Sequence, residues 1–247
     1  HSHSYYSHDA CDGQPRDDAG VYNQPCYEDF RAGLCGSKHD FAFLSDHQES
    51  FTENDFPDLT LYRADHGDAL IDHGNGPTAN RLHCPDGPAP IVLAGNESDM
   101  MPLGLERHAE GKGATYDDVS DAGIAKIHAV NGLAIMAHTE RFTGETLASI
   151  GLDGFEMYNL HANTLKNGGI AADWVLKADA KLFDGLPDPN IFIIGFELED
   201  PRYLEAWGGA LARGARRVTT MGTDCHRNSF PSLAQDGQRI DSYLRMM

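Results

Sequence analysis

The sequence has no run of basic residues: Lys and Arg total 19 against 38 Asp and Glu, a formal net charge of -19. Wrapping of nucleic acid and attachment to an anionic membrane surface are poor fits to that balance. No stretch approaches the ~18 consecutive apolar residues of a membrane span. The five cysteines, Cys11, Cys26, Cys35, Cys84 and Cys225, form no C-x-x-C pair, which argues against a zinc ribbon or a thioredoxin-like motif. A G-x-S-x-G elbow and a P-loop are both missing, so the nucleophilic-serine and NTPase classes lack their signatures. Internal repeats and low-complexity tracts are absent too. What the chain does have is 40% hydrophobic residues over 247, enough to bury one sizeable core, and an excess of 13 histidines.

The sequence starts at His1 without a Met, which implies that a leader is cleaved or that further residues precede this numbering. Three of the cysteines lie within the first 35 residues. An exported chain would make two bridges from four of them, in any of three connectivities, with one thiol left over; a cytosolic chain would keep all five reduced. Periplasmic, secreted and cytoplasmic placements are equally open on this ground.

Short apolar runs bounded by turn residues recur along the chain at Asp40–Ser45, Pro90–Gly95, Leu133–Ala137, Gly154–Tyr158, Ile191–Gly195 and Arg217–Gly222, and a strand entering at His1 makes seven. Helical patterns at Asp117–Asn131, Glu145–Ile150, Ala171–Leu182 and Tyr203–Arg213 fall between several of them. Near-continuous apolar strands alternating with helices predict one α/β domain over residues 1–247, a closed or nearly closed β/α barrel. Residues 48–89, rich in Asp, Gly, Pro and Asn, are expected to form a long loop excursion over one face.

In such a barrel, chemistry collects where strands end. The first strand offers His1 and His3, whose i, i+2 spacing projects both rings to one side of an extended chain, and His8 follows. Later strands end in Asp46-His47, Asn96-Glu97, Ala137-His138, Glu156 with Asn159, and Asp224-Cys225-His226. Five strand ends delivering imidazole or carboxylate to one rim suit a borderline divalent metal, and that many charges would be costly together without a cation. Alternation turns Cys225 away from its two neighbours, so a free thiol packed on the core is expected there. His39, His66, His73, His83 and His128 are read as solvated, and His161 is left undecided.

This ordered set, H-x-H, a ligand five residues on, a strand ending Asp-His, then Gly-x-Glu, apolar-Ala-His and Gly-x-Asp-x-His, resembles the PHP (polymerase and histidinol phosphatase) family. The resemblance runs from His1 to His226. It implies a distorted seven-stranded barrel, (β/α)7, with two or three divalent metal ions, Zn, Mn or Fe, at the C-terminal rim, and hydrolysis of phosphoesters. One metal would be held by His1, His3, Glu97 and Asp224. A second would share Glu97 and take His138, and a third would be held by His8, His47 and His226. Where the family offers a further His in a segment like His-x-Leu-Gly, this chain reads Met101-Pro102-Leu103-Gly104; either His108 reaches in from the following loop or the second metal is weakly held or absent.

The activity implied is a metal-dependent phosphoester hydrolase with a metal-bridging hydroxide as nucleophile, acting on a small-molecule phosphoester. Glu97 and Asp224 would carry the metals, Asp46 would orient a ligand from behind, and Arg141 and Arg227 would clamp phosphate oxygens. The alternatives are a hydrolase of non-phosphate esters, lactones or amides, and a metal-binding module without catalysis.

Overall fold

The computed structural model describes residues 1–160, 162–163, 166–167, 200–227, 230–235 and 238–240. The expected runs at 40–45, 90–95, 133–137, 154–158 and 217–222 become strands, whereas the strand expected at His1 is only an isolated bridge at Ser2. In chain order the strands are β1 (Phe41–Phe43), β2 (Asp46–His47), β3 (Ala69–Asp72), β4 (Pro77–Arg81), β5 (Ile91–Glu97), β6 (Met101–Leu105), β7 (Leu133–Met136), β8 (Gly154–Asn159), β9 (Val218–Gly222), β10 (Phe230–Gln235) and β11 (Gln238–Ile240). The first nine share one sheet in the order β3-β4-β5-β6-β7-β8-β9, with β1 and β2 also pairing along β5, and β10 and β11 form a separate antiparallel pair.

The molecule is a mixed α/β single domain with an open sheet, and no closed barrel forms among the described residues. Nor is the sheet uniformly parallel. β7, β8 and β9 are mutually parallel, as are β1 and β2 with β5, whereas β6 runs antiparallel to β5 and to β7. β6 was not expected from the sequence, because Pro102 and Gly104 look like turn signals. The alternation of Met101, Leu103 and Leu105, all buried, is nevertheless that of a strand. The 48–89 stretch is more than a loop layer, since its β3–β4 hairpin pairs onto β5. The expected strand at 191–195, the expected helix at 171–182 and His161 lie outside the described residues.

The N-terminal segment is held by backbone pairing on both sides. Ser2 bridges Cys225 in parallel, the His3 amide donates to the Cys225 carbonyl at 2.9 Å, and the Ser45 amide donates to the Ser2 carbonyl at 3.0 Å. Residues 1–3 are thereby laid between the β1–β2 junction at Ser45 and the segment after β9, which brings His1 and His3 to the strand ends.

Helices cover the sheet by burying one stripe each. The Asp121–His128 helix is capped by the Ser120 side chain and buries Ile124 and Ile127; the Pro201–Ala212 helix, capped by Asp200, buries Tyr203, Ala206 and Ala210. Their apolar faces join a core that includes Phe30, Leu44, Phe51, Val92, Met136 and Phe155, while Met101, Leu103, Ile135 and Ala137 pack with Phe43 in a second, smaller cluster. Two disulfides, Cys11–Cys26 and Cys35–Cys84, tie the first loop and the end of the excursion to the Gln24–Gly36 helix. Cys225 is the free thiol, packed against the main core as expected, and its burial raises its pKa above the ordinary thiol value.

Candidate metal centre

Two groups of four side chains converge at the strand ends, each with donor atoms within 4.8 Å of one another: His1, His3, Glu97 and Asp224, and His3, Asp9, His47 and His226. In the first, His1 Nε2 stands 3.3 Å from Glu97 Oε1 and 3.4 Å from Asp224 Oδ1, and His3 Nε2 stands 3.2 Å from Glu97 Oε2 and 3.0 Å from Asp224 Oδ1. In the second, the His47 and His226 Nε2 atoms each approach Asp9 Oδ2. The groups adjoin, with the His3 and His226 rings stacked at 3.9 Å and His47 Nδ1 3.3 Å from Glu97. His138 Nε2 reaches Glu97 Oε1 at 2.7 Å and lies 3.8 Å from Asp224.

The donor set fits a divalent cation because the far side of several rings is already engaged. His1 Nδ1 bonds Glu156 at 2.9 Å and His226 Nδ1 bonds the Asp224 carbonyl at 2.7 Å. His3 Nδ1 bonds Ser7 Oγ at 2.8 Å, and that hydroxyl donates to Asp46 Oδ1 at 3.1 Å, so it must accept from His3. A ring that donates from Nδ1 carries its lone pair on Nε2, and each of these Nε2 atoms faces the centre. Asp9 Oδ1 is buried with no hydrogen-bond partner among the described residues. One Nε2 lone pair serves one cation. With His3 in the first group that group has four protein donors, and the second keeps Asp9, His47 and His226, leaving coordination positions for other ligands.

The imidazoles and carboxylates also pair with one another, a protonated pairing that a bound cation would replace. Burial alone would raise the Glu97 pKa, but hydrogen bonds to His1, His138 and His3 outweigh it and hold the carboxyl far below its ordinary range. Asp9 is likewise held low, against its burial, by His226 and His47. Burial would lower His1, yet Glu156 and Glu97 raise it, and His138 is pushed up to about 10 because Glu140 and Glu97 overcome its burial. Two residues at the centre, His138 (φ 50°) and Asp224 (φ 55°), adopt left-handed backbone that non-glycine residues pay ~1–2 kcal/mol to enter.

Several expectations are corrected. His8 belongs to neither group: its side chain is exposed, 3.7 Å from Glu49, and the adjacent Asp9 takes the place expected of it. The turn after Ser7, which passes through left-handed Cys11 and Asp12, aims Asp9 inward. His108 does not reach in; it packs against Phe51 and Phe56 and bonds the Asn54 carbonyl at 2.7 Å. Met101 is core, so no further donor joins Glu97 and His138 from β6. Arg141 is exposed, its guanidinium over the Phe142 ring at 5.7 Å, and Arg227 Nε pairs with Asp29 at 3.2 Å, so neither clamps the centre. Asp46 does act from behind, but on His3 through Ser7, and accepts from Ser4 as well. Of the side chains not expected from the sequence, Asp9 had a signal, a carboxylate one residue from the expected ligand; Ser7 and Glu140 had none. His39, His73, His83 and His128 are exposed as expected, and His66 is half-buried beside Glu28.

No family model, no curated protein and no solved structure matches the chain.

Proposed function

We propose that this chain is a divalent-metal-dependent hydrolase of small phosphoesters, built as a distorted β/α barrel of the PHP kind. The observation that carries the proposal is the convergence of His1, His3, His47, His226, Asp9, Glu97 and Asp224 into two adjoining donor groups. The barrel reading is supported by the N-terminal segment, hydrogen-bonded between Ser45 and Cys225 like a stave between β2 and β9. Two disulfides fit an oxidising compartment, so we place the protein in a periplasm or outside the cell.

Bound divalent cations supply Lewis acidity toward a phosphoryl oxygen and lower the pKa of water. The protein's own groups do the rest. Glu97, between both sets of imidazoles, presents one oxygen to His138 and His1 and the other to His3 and His47, and so would tie the two donor groups together. Asp46 and Ser7 lock His3, and Asp224 spans His1 and His3. His138, less enclosed than His1 or His3, stands on the open side of Glu97.

Arg141 and Arg227 turn elsewhere, and this favours a second reading in which the centre hydrolyses carboxylic esters, lactones or amides. Purified protein should be loaded with Zn2+ or Mn2+, its metal content measured, and its rates compared on chromogenic phosphomonoesters, diesters, triesters and carboxylic esters. We expect phosphoester turnover that a chelator abolishes and that Glu97→Ala or Asp224→Ala lowers by several orders of magnitude. Full phosphoesterase rate after chelation would end the proposal, and preference for carboxylic esters would select the second reading.

A further inference from the structure

Behind the donor groups lies a carboxylate that belongs to neither. Glu156, on β8, is fully buried and reaches three segments of the chain at once. Its Oε1 accepts from His1 Nδ1 at 2.9 Å. Its Oε2 accepts from the backbone amide of His138 at 3.2 Å and from Asn159 Nδ2 at 3.1 Å. The Asn159 amide is oriented unambiguously: its Oδ1 accepts from the Ala162 amide at 2.8 Å, which turns Nδ2 toward Glu156 and toward Asp224 Oδ2, 3.2 Å away.

We infer that Glu156 is a positioning residue for cation binding, fixing His1 through its ring and His138 through its backbone, and that this task requires a carboxylate. The inference rests on the metal-centre reading above. Three donors meet two oxygens. A glutamine has one acceptor oxygen, and its amide nitrogen would face either the His1 Nδ1–H or the paired N–H groups of His138 and Asn159, donor against donor. The first outcome releases the His1 ring to rotate or change tautomer; the second releases the left-handed turn at His138.

Gly222 gives an independent indication that the place is reserved for this side chain. β8 and β9 pair with Asn159 opposite Gly222, and a Cβ at 222 would lie 1.8 Å from Glu156 Oε1 and 2.7 Å from His1 Cβ. Its φ is not in the left-handed region, so the glycine supplies room rather than conformational freedom. Residues 1, 156 and 222 meet without slack, which is what holding a ring to a fraction of an ångström demands.

The test uses the full chain, wild type and Glu156→Gln, with Zn2+ affinity read by chelator competition, the visible spectrum of the Co2+-loaded protein, and the Tm of the metal-free protein. We expect the variant to fold with its metal-free Tm lowered by about 2–10 °C, to bind Zn2+ about 10–100-fold more weakly and to show an altered Co2+ spectrum. Wild-type affinity and spectrum in the variant would overturn the inference and leave the metal centre standing. Wild-type protein that takes up neither ion would overturn both. Should the variant fail to fold, the 15N shifts of the wild-type histidines in the Zn2+ form decide the matter: His1 protonated at Nδ1 supports the inference, and His1 protonated at Nε2 refutes it.

Discussion

Asp9 Oδ2 lies 3.2 Å from Nε2 of His47 and 3.2 Å from Nε2 of His226, so one carboxylate oxygen joins an imidazole at the end of β2 to one after β9. His8, its neighbour, faces out. Replacing Asp9 by Ala should therefore remove about one equivalent of tightly held divalent cation from the loaded protein, whereas His8→Ala should leave metal content unchanged. Elemental analysis after dialysis checks this, and the reverse pattern would return His8 to the ligand set.

The Cys11–Cys26 bridge begins two residues after Asp9, and the Cys11 amide donates to the His226 carbonyl at 3.1 Å. Replacing both cysteines by Ser should cost about 3 kcal/mol for a loop of this length and also weaken the cation held by Asp9. Removing Cys35–Cys84, which closes a longer loop away from the centre, should cost about 4 kcal/mol and leave cation binding alone. Denaturation curves alongside a Zn2+ titration of each variant separate the two effects.

His108 is structural, and its pH behaviour is set by its surroundings. Burial lowers its pKa below the ordinary 6.5. Between the folded and unfolded pKa values the unfolded chain binds more protons, so the stabilisation by this side chain is intact above pH 6.5 and is lost as pH falls toward the folded value. His108→Ala should cost ~1–3 kcal/mol at pH 8 by leaving the Asn54 carbonyl unpaired, with a smaller deficit at pH 5 and unchanged metal content. Urea melts at the two pH values would disprove this if the deficit grew on acidification.

Cys225, between two of the candidate donors, packs on the core and should tolerate Ala with modest loss of Tm and no loss of metal. A missing metal equivalent in Cys225→Ala would make the thiol a ligand.

The donors were legible because an apolar run that ends in His or Glu marks a rim position, and because His1 with His3 and Asp224 with His226 flank the two bridged residues Ser2 and Cys225 at i, i+2; at Asp224 the backbone is left-handed, so strand alternation gave the right pair there without being its cause. Asp9 was misread as His8 because the chain leaves the extended conformation at a tight turn, where alternation carries no information. The charge of Arg141 and Arg227 was visible but not its direction, which Phe142 and Asp29 set from elsewhere in the fold. The β3–β4 hairpin turns through Asn75-Gly76, a pair that favours tight turns. The flanking residues, Ala-Leu-Ile-Asp and Pro-Thr-Ala-Asn-Arg, alternate too weakly to declare strands.

The three residues that open this sequence and the three at 224–226 make one site, and their backbones are paired as well as their side chains. A chain growing from a ribosome therefore carries Asp9, His47, Glu97 and His138 long before it carries Asp224 or His226, so the first four-donor group is complete only at residue 224 and the second only at residue 226. An incomplete chain thus lacks a finished donor set, so any cation these groups take would be held by all four donors only after the last of them has been made.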